Sequence, residues 1–409
     1  MTKLICMFSL AVACYISASA KQVNAAKDSL KSESYISRYG NLDNIACQIK
    51  TNKDATVAFF GGSITNMTGW RDKVCNYLSS TYPGTHFNFI NAGIPSLGSL
   101  PHAFRMEKDI LSKGRIDLLF VESAVNDKGN GTNETTQRRA LEGIVRHMLS
   151  VNPYTNIVMM AFVDENKMAD YNAGKVPVEV KVHDDIAKMY HLQFINLAKE
   201  VTDRINAQEF DWKNDFKNLH PSDFGQNIYF RTIKQLLSID LDKAVSQKPV
   251  AVGLPKAADE FNYEHGQYLD ISNVYIKQGF VSDPSWQPAD NIHTRPGFVH
   301  VPMLVADKPS SSFELTFTDQ TIGIAVVAGP DAGIINYSID GKDYPALDLY
   351  TPWSKGLHLP WYLLLGDGLA PGKHTLKLQV SSLHNDQSKG TACRIVYFLL
   401  NKKYELSKK

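Results

Sequence analysis

Residues 56–65 read Thr-Val-Ala-Phe-Phe-Gly-Gly-Ser-Ile-Thr. The first five form a short run rich in β-branched and aromatic side chains, which predicts a buried strand over 56–60. Two glycines then let the chain turn sharply and leave little bulk around Ser63 at the strand end. Taken alone, this pattern fits a nucleophile on a strand-to-helix turn and an ordinary turn in which Ser63 caps a helix equally well.

The same alternation of strand and helix continues to about residue 240. Further apolar runs predict strands over 87–90, 118–121, 157–162 and 193–195. Apolar residues at helical spacing predict helices near 70–80, 101–113, 134–150 and 178–190. This order predicts an α/β fold, a parallel sheet with helices on both faces, whose chemistry lies at the carboxyl ends of the strands.

The other strand ends carry the remaining parts of an acyl-transfer site. Residues 91–99, Asn-Ala-Gly-Ile-Pro-Ser-Leu-Gly-Ser, form a loop of small residues that can present backbone N–H groups. Asn126 follows the third strand and offers a side-chain amide. Of the 12 histidines, His220 alone stands directly before a predicted helix. A serine, N–H donors, an amide and a histidine are together what acyl transfer requires.

Four separated blocks resemble the SGNH (GDSL-like) hydrolase superfamily, in its Gly-Gly-Ser-Ile-Thr branch. They cover roughly residues 35–240 and occur in the family's order, at 61–65, 91–105, 124–127 and 220–221. The resemblance implies a flavodoxin-like three-layer α/β/α domain, in agreement with the alternation of strands and helices.

The resemblance also implies roles for individual residues. Ser63 is the expected nucleophile and His220 the expected general base. The oxyanion would be held by the N–H groups of Ser63 and Ser96 and by the side chain of Asn126, with Gly98 as the fallback donor. The family has a glycine where this chain has Ser96; the N–H donor survives that change, although the backbone preference differs. No metal or cofactor is expected.

The acid that the family places three residues before the histidine is missing, because that position is Lys217. Asp215, two residues further back, can take its role if the loop bulges. Otherwise a backbone carbonyl orients His220 and the site is a Ser–His dyad. Both alternatives remain open from the sequence.

The pattern changes after the first domain, which we place at residues 30–245. Short strands separated by turns, at 313–317, 322–327, 334–339, 375–380 and 395–400, predict a β-sandwich, jelly-roll-like, over 246–409. Residues 246–311 either begin this sandwich or lie across the first domain. Five aromatic residues either stack on sugars or fill the core and the domain interface, and these are Tyr344, Tyr350, Trp353, Trp361 and Tyr362.

The N-terminus and the composition indicate an exported protein. Residues 1–20 combine Lys3, an apolar run and small residues, which predicts a signal peptide; alternatively, Cys14 lies in a weak lipobox and becomes a lipid anchor. Lys and Arg number 43 against 42 Asp and Glu, which argues against a nucleic-acid partner held by phosphate contacts. No interior run is long and apolar enough for a membrane span.

The sequence therefore predicts a secreted or periplasmic serine esterase, or else a membrane-anchored surface lipoprotein, that removes short acyl groups, foremost acetyl, from a polysaccharide or oligosaccharide. A lipid or small-ester hydrolase of the same superfamily is one alternative. The other is a glycan-binding surface protein whose hydrolase domain has lost catalysis, which the changes at Ser96 and Lys217 favour and the intact Ser63, Asn126 and His220 oppose.

Overall fold

The computed structural model describes residues 30–243 and 248–402 of the 409-residue chain. The predicted signal peptide at 1–20 and the alternative anchor Cys14 lie outside the described residues. Cys47, Cys75 and Cys393 all carry free thiols. No helix within the described ranges combines the length and the apolarity that crossing a membrane demands.

A mixed sheet forms the centre of the first part of the chain. Its strands are β1 (Ile36–Arg38), β2 (Asp54–Gly61), β3 (His86–Gly93), β4 (Leu118–Glu122), β5 (Asn156–Met160) and β6 (Gln193–Ile195). They lie in the order β1-β6-β5-β4-β2-β3, and all neighbours are parallel except β1 and β6. Without β1 this is the flavodoxin-like order, in which ligands bind where the strand order reverses, here between β2 and β4. The predicted α/β fold is confirmed.

Two groups of helices cover this sheet. The helices are α1 (Asp43–Cys47), α2 (Ser63–Asn66), α3 (Trp70–Thr81), α4 (Ser99–Asp109), α5 (Ala124–Gly129), α6 (Glu134–Val151), α7 (Glu165–Asn172), α8 (Val178–Met189), α9 (Leu197–Asn206) and α10 (Asp223–Leu241). Helices α4, α6 and α8 pack in one group, and α1, α3, α9 and α10 in the other. Every residue of β4 and β5 is buried, as expected for strands covered on both faces.

The second part of the described chain is a sandwich of two antiparallel sheets. Its strands are β7 (Gly266–Asp270), β8 (Ile276–Gln278), β9 (Val281–Trp286), β10 (Val301–Ala306), β11 (Ser312–Thr318), β12 (Thr321–Ala328), β13 (Ile334–Ile339), β14 (Lys342–Asp348), β15 (Leu359–Asp367), β16 (Lys373–Val380) and β17 (Cys393–Asn401). One sheet runs β15-β12-β17-β10-β9 with β7 also paired to β17, and the other β14-β13-β16-β11-β8. Phe313 and Phe398, one from each sheet, meet edge-to-face in the shared core with ring centroids 5.6 Å apart. The predicted sandwich is confirmed, and its jelly-roll connection stays a prediction.

The segment before β7 lies across the first part of the chain. Tyr263 is fully buried there, and its N–H donates to the Arg139 carbonyl at 3.1 Å. The Arg139 guanidinium pairs with Asp259 and with Asp367 of β15, each at 2.7 Å. The two parts are therefore joined by buried and charged contacts; the boundary at residues 245/246 stays a prediction.

Candidate active site

Ser63 and His220 meet at the carboxyl end of the parallel sheet. Ser63 is the first residue of α2, directly after β2 and the Gly62 turn, and His220 lies in the loop before α10. The Ser63 Oγ and His220 Nε2 atoms are 2.7 Å apart. At this distance the imidazole can accept the hydroxyl proton, which is the geometry that an activated serine requires.

Asn126 approaches this pair because residue 62 has no side chain. A Cβ atom on Gly62 would lie 2.1 Å from the Asn126 Oδ1 atom. Asn126 stands in the first turn of α5, after β4, and lines the same cavity as Ser63. Its side-chain amide has no hydrogen-bond partner among the described residues, so the amide N–H groups remain free to donate to a ligand.

Ser96 adopts a backbone conformation that favours glycine, with φ at +74°. Its carbonyl accepts a hydrogen bond from Asn130 Nδ2 at 3.0 Å, which holds the loop in this conformation. The Ser96 residue lines the cavity beside Ser63. Gly98 is buried below the loop, where an added Cβ would meet the Asp127 carboxylate at 2.4 Å, and it does not line the cavity. Ser96 is thus the better placed of the two donors.

Asp127 fastens this loop to α5. Its Oδ1 accepts from the N–H and the hydroxyl of Ser99, at 2.7 and 2.9 Å. Burial raises the pKa of Asp127 to about 7, against the hydrogen bonds from Ser99, which lower it. Asp127 lies outside the cavity and steadies the loops that carry Ser96 and Asn126.

Arg105 holds the ends of β2 and β3 together. This fully buried side chain donates through Nη2 to the carbonyls of Ala92, at 2.6 Å, and Gly61, at 3.3 Å. Its guanidinium lies over the Phe60 ring, 4.2 Å from the centroid. Arg105 ends the block at 91–105, and its sequence position alone predicted no separate role for it. Its neighbours at helical spacing in α4 include His102, Lys108 and Asp109, so apolar periodicity offers no signal for its burial.

Asp215 is not brought to His220. Its exposed carboxylate accepts from the Asp211 N–H at 2.7 Å, within a helical turn at Trp212–Phe216. The loop then closes by a bond from the Ser222 N–H to the Phe216 carbonyl at 2.9 Å, so the bulge that Asp215 would need does not form. The His220 Nδ1 atom has no hydrogen-bond partner among the described residues. Among the described residues, His220 therefore contacts Ser63 with no carboxylate on its other ring nitrogen.

His220 is surrounded by positive charge rather than by a carboxylate. Its pKa lies below the usual value, first because the ring is partly removed from water, then because of the charges of Arg295 and Lys217. A lowered pKa keeps the imidazole neutral near pH 7, the form in which Nε2 can accept a proton.

The second part of the chain supplies one wall of the cavity. Arg295 and Trp353 of the sandwich face Ser63 and His220 across a volume of about 180 Å³. The other lining residues belong to the first part, and they are Ser96, Val125, Asn126, Lys128, Gly129, Asn130, Asp164, Asn166 and Leu219. No signal in the sequence alone ties Arg295 to this site.

The aromatic residues of the second part divide between cavity and core. Trp353 is 42% exposed and lines the cavity, and its ring lies 5.9 Å from that of Trp361. Tyr362 is buried and its hydroxyl lies 2.6 Å from that of Tyr268. Tyr344 stacks on a neighbouring tyrosine. Only Trp353 of the stretch is therefore both exposed and placed beside the Ser63–His220 pair. No group of three His, Cys, Asp or Glu side chains in the described ranges is placed to hold a metal ion.

The chain can be compared with known proteins on the basis of this fold and of the serine–histidine pair at its strand ends. Residues 59–228 match the family model of the GDSL-like Lipase/Acylhydrolase family. No curated protein matches the sequence.

Solved structures share the architecture. A two-domain esterase active on acetylated mannans, co-crystallized with mannopentaose, superposes with a TM-score of 0.74 at 22% identity, covering 91% of this chain and 99% of its own. A second structure of a two-domain esterase active on acetylated mannans superposes with a TM-score of 0.74 at 22% identity, covering 90% of this chain and 98% of its own. An acetylxylan esterase from Geobacillus stearothermophilus superposes with a TM-score of 0.41 at 16% identity, covering 48% of this chain and 99% of its own. At these identities the likeness concerns the fold, and in the mannan esterases it extends over both parts of the chain.

Proposed function

We propose that this protein is a serine esterase that removes short acyl groups, foremost acetyl, from polysaccharides through a Ser63 acyl-enzyme, with His220 as the general base. The observation that carries the proposal is the 2.7 Å contact between Ser63 Oγ and His220 Nε2 inside a cavity that Asn126 also lines. The match of residues 59–228 to an acylhydrolase family supports the same reaction class.

The reaction proceeds in two steps. Ser63 Oγ attacks the ester carbonyl while its proton passes to His220 Nε2, and the imidazolium then protonates the departing sugar oxygen, which leaves as a hydroxyl. The N–H groups of Ser63 and Ser96 and the Asn126 amide stabilise the oxyanion; one such donor is commonly worth about 10²–10³ in rate. Water then attacks the acyl-enzyme, with His220 as base again, and releases the acid and Ser63.

His220 works here without a carboxylate partner. The backbone N–H of His220 donates to the Asn218 side chain at 2.8 Å, which fixes the loop from below. The neighbouring positive charges of Arg295 and Lys217 oppose protonation of the ring. We therefore infer a Ser–His dyad whose base is kept neutral by its surroundings.

The size of the cavity favours acetyl over long acyl groups. Its volume of about 180 Å³ is below the roughly 300–1,000 Å³ of pockets that enclose drug-sized ligands. The exposed Trp353 at its rim offers an aromatic face on which a sugar ring can stack. The shared architecture with esterases active on acetylated mannans agrees with a polymeric substrate, and the predicted signal peptide would place the enzyme outside the cytoplasm.

Acetate release tests the proposal directly. The substrates are acetylated mannan, xylan and pectin, and the wild-type chain is compared with Ser63→Ala. Ser80→Ala, which removes an exposed hydroxyl on α3, is the matched control. We expect Ser63→Ala to abolish release and Ser80→Ala to retain it. Hydrolysis of 4-nitrophenyl octanoate with no acetate from any polymer would instead support the lipid-hydrolase alternative.

A glycan-binding protein without catalysis is the second candidate. The serine at position 96 and the lysine at position 217, where the family has a glycine and an acid, favour it. It would bind oligosaccharides equally well with Ser63 or alanine and hydrolyse no ester.

A further inference from the structure

The active-site cavity holds an arginine without a partner. The Arg295 backbone N–H donates to the His358 carbonyl at 2.9 Å, which fixes the position of its chain. The guanidinium, in contrast, makes no hydrogen bond or ion pair with any described residue, and its Nε is buried without a partner. Other partly buried arginines, such as Arg139 and Arg146, are held by carboxylates.

A second cation lines the same cavity and is also unpaired. Lys128 of α5 is exposed and makes no ion pair within the described part of the chain. Among the described residues that line the cavity, Asp164 alone carries a carboxylate. Both Asp164 oxygens are taken by Lys167, one by its N–H at 2.9 Å and the other by its fully buried ammonium group. The cavity therefore keeps an excess of positive charge.

This arrangement costs free energy unless a ligand supplies the missing anion. Burial lowers the pKa of Arg295, which means that its charged form is incompletely solvated. A planar guanidinium with free N–H groups matches the two oxygens of a carboxylate. The charge of Arg295 also reaches His220, so an anion on it would lie beside the reacting ester.

We propose that Arg295, assisted by Lys128, binds an anionic group on the acylated glycan, the carboxylate of a uronic acid or a sulfate ester, next to the acyl group that Ser63 removes. This inference rests on the proposed function and narrows its substrate class to acidic glycans. Because Arg295 comes from the sandwich, the second part of the chain would determine specificity while the first part performs the chemistry.

Ligand titration by calorimetry tests this with the full chain carrying Ser63→Ala, so that nothing is turned over. The probes are trigalacturonate, its methyl ester, and a sulfated galactose trisaccharide. We expect trigalacturonate to bind about tenfold or more tightly than its methyl ester, because a charge-assisted bidentate pair is lost on esterification. Raising the salt concentration to about 0.5 M should reduce the difference.

Substitutions of cationic residues show which side chain causes the preference for the free carboxylate. Adding Arg295→Gln should remove the preference for the free carboxylate, and Arg295→Lys should keep part of it. Lys217→Gln is the matched control, since it removes a positive charge near His220 that does not line the cavity. It should leave the preference intact. Thermal unfolding of each variant confirms that it is folded.

Each outcome decides the inference. Equal binding of the acid and its methyl ester, with no binding of the sulfated sugar, overturns it, and so does a preference that survives in folded Arg295→Gln. Binding of the sulfated sugar alone supports it and identifies sulfate as the anion. Failure of the proposed function would be visible separately, as wild-type protein that hydrolyses no ester while these binding results stand.

Discussion

The Asn126 side chain occupies the place where residue 62 would carry a Cβ atom. That atom would lie 2.1 Å from Asn126 Oδ1, well inside van der Waals contact. The turn that presents Ser63 therefore requires glycine because of this contact, since the φ of Gly62 is −90° and is open to any residue. The amide that we assign to the oxyanion hole is held against this turn.

Gly62→Ala should reduce activity more than stability. The added methyl group displaces Asn126, and we expect kcat/KM for 4-nitrophenyl acetate to fall by about 10²-fold, as for the loss of one oxyanion donor. Gly84→Ala is the control, since nothing lies within 4 Å of a Cβ there. A Gly62→Ala enzyme with wild-type kcat/KM would contradict the place of Asn126 in the site.

Asp215→Asn should leave catalysis nearly unchanged. The Asp215 carboxylate bonds the Asp211 N–H and not His220, so we expect kcat/KM within about threefold of wild type. His220→Ala should lose about 10³-fold or more, because the base itself is removed. A loss for Asp215→Asn comparable to that of His220→Ala would show that the loop rearranges into a triad on substrate binding.

The acid limb of the pH profile should move when Arg295 is removed. Activity requires neutral His220, and the charge of Arg295 contributes to its lowered pKa. Arg295→Gln removes that charge, the imidazolium becomes easier to form, and the limb shifts to higher pH. Burial is the larger cause and remains, so we expect the limb to move only part of the way toward that of an ordinary histidine.

The measurement is kcat/KM for neutral 4-nitrophenyl acetate between about pH 4.5 and 8. Lys128→Gln serves as the control, because Lys128 is not among the groups that shift the His220 pKa. A profile that is identical in wild type and Arg295→Gln would argue against this electrostatic link.

Arg105→Met should destabilise the fold strongly. The change removes the Arg105 donor from the Ala92 and Gly61 carbonyls, of which Gly61 keeps the Ile94 N–H at 3.0 Å, and leaves Asp109 without the partner that it contacts at 2.7 Å. We expect the free energy of unfolding in urea to fall by about 3–5 kcal/mol, as for a buried pair that loses one member. Arg138→Met, at an exposed pair, should cost about 1 kcal/mol or less. An equal loss of unfolding free energy in Arg105→Met and Arg138→Met would show that the hydrogen bonds of Arg105 contribute little to stability.

The stability of the protein should depend on pH through Glu122. Burial raises the pKa of this carboxyl to about 7, against hydrogen bonds from the N–H groups of Phe162 and Val125. Since the folded pKa exceeds the unfolded value, the stabilisation is complete below the unfolded pKa and is lost as the pH rises to about 7.

Glu122→Gln keeps an oxygen acceptor but does not titrate. The substitution should therefore reduce the fall in the free energy of unfolding between pH 5 and pH 8. We expect its free energy of unfolding, relative to wild type, to be higher at pH 8 than at pH 5 by roughly 1–3 kcal/mol. Urea titrations at both pH values measure this. An unchanged difference between wild type and variant at the two pH values would exclude the mechanism.

The sequence by itself determined the fold class, and it was sufficient to predict that the principal site residues lie close together. The periods of apolar residues distinguish strands from helices, and parallel strands joined by helices place their carboxyl ends at one edge. Ser63, Asn126 and His220 each follow or precede such an element, so their proximity follows from local patterns alone. A donor at Ser96 could also be predicted, since a backbone N–H remains whatever the side chain, whereas the positive φ of Ser96 is seen only in the structure.

Only the tertiary structure decided which groups surround the pair. Asp215 is turned away because its loop closes on its own backbone, an outcome of hydrogen bonds that the spacing of charged residues does not encode. Arg295 and Trp353 enter the cavity because the sandwich docks on the first part through contacts such as Arg139 with Asp367. These contacts join residues far apart in the chain. The local periodicity of apolar residues does not predict these contacts. The charges near His220 nevertheless depend on them, because they place Arg295 in the cavity.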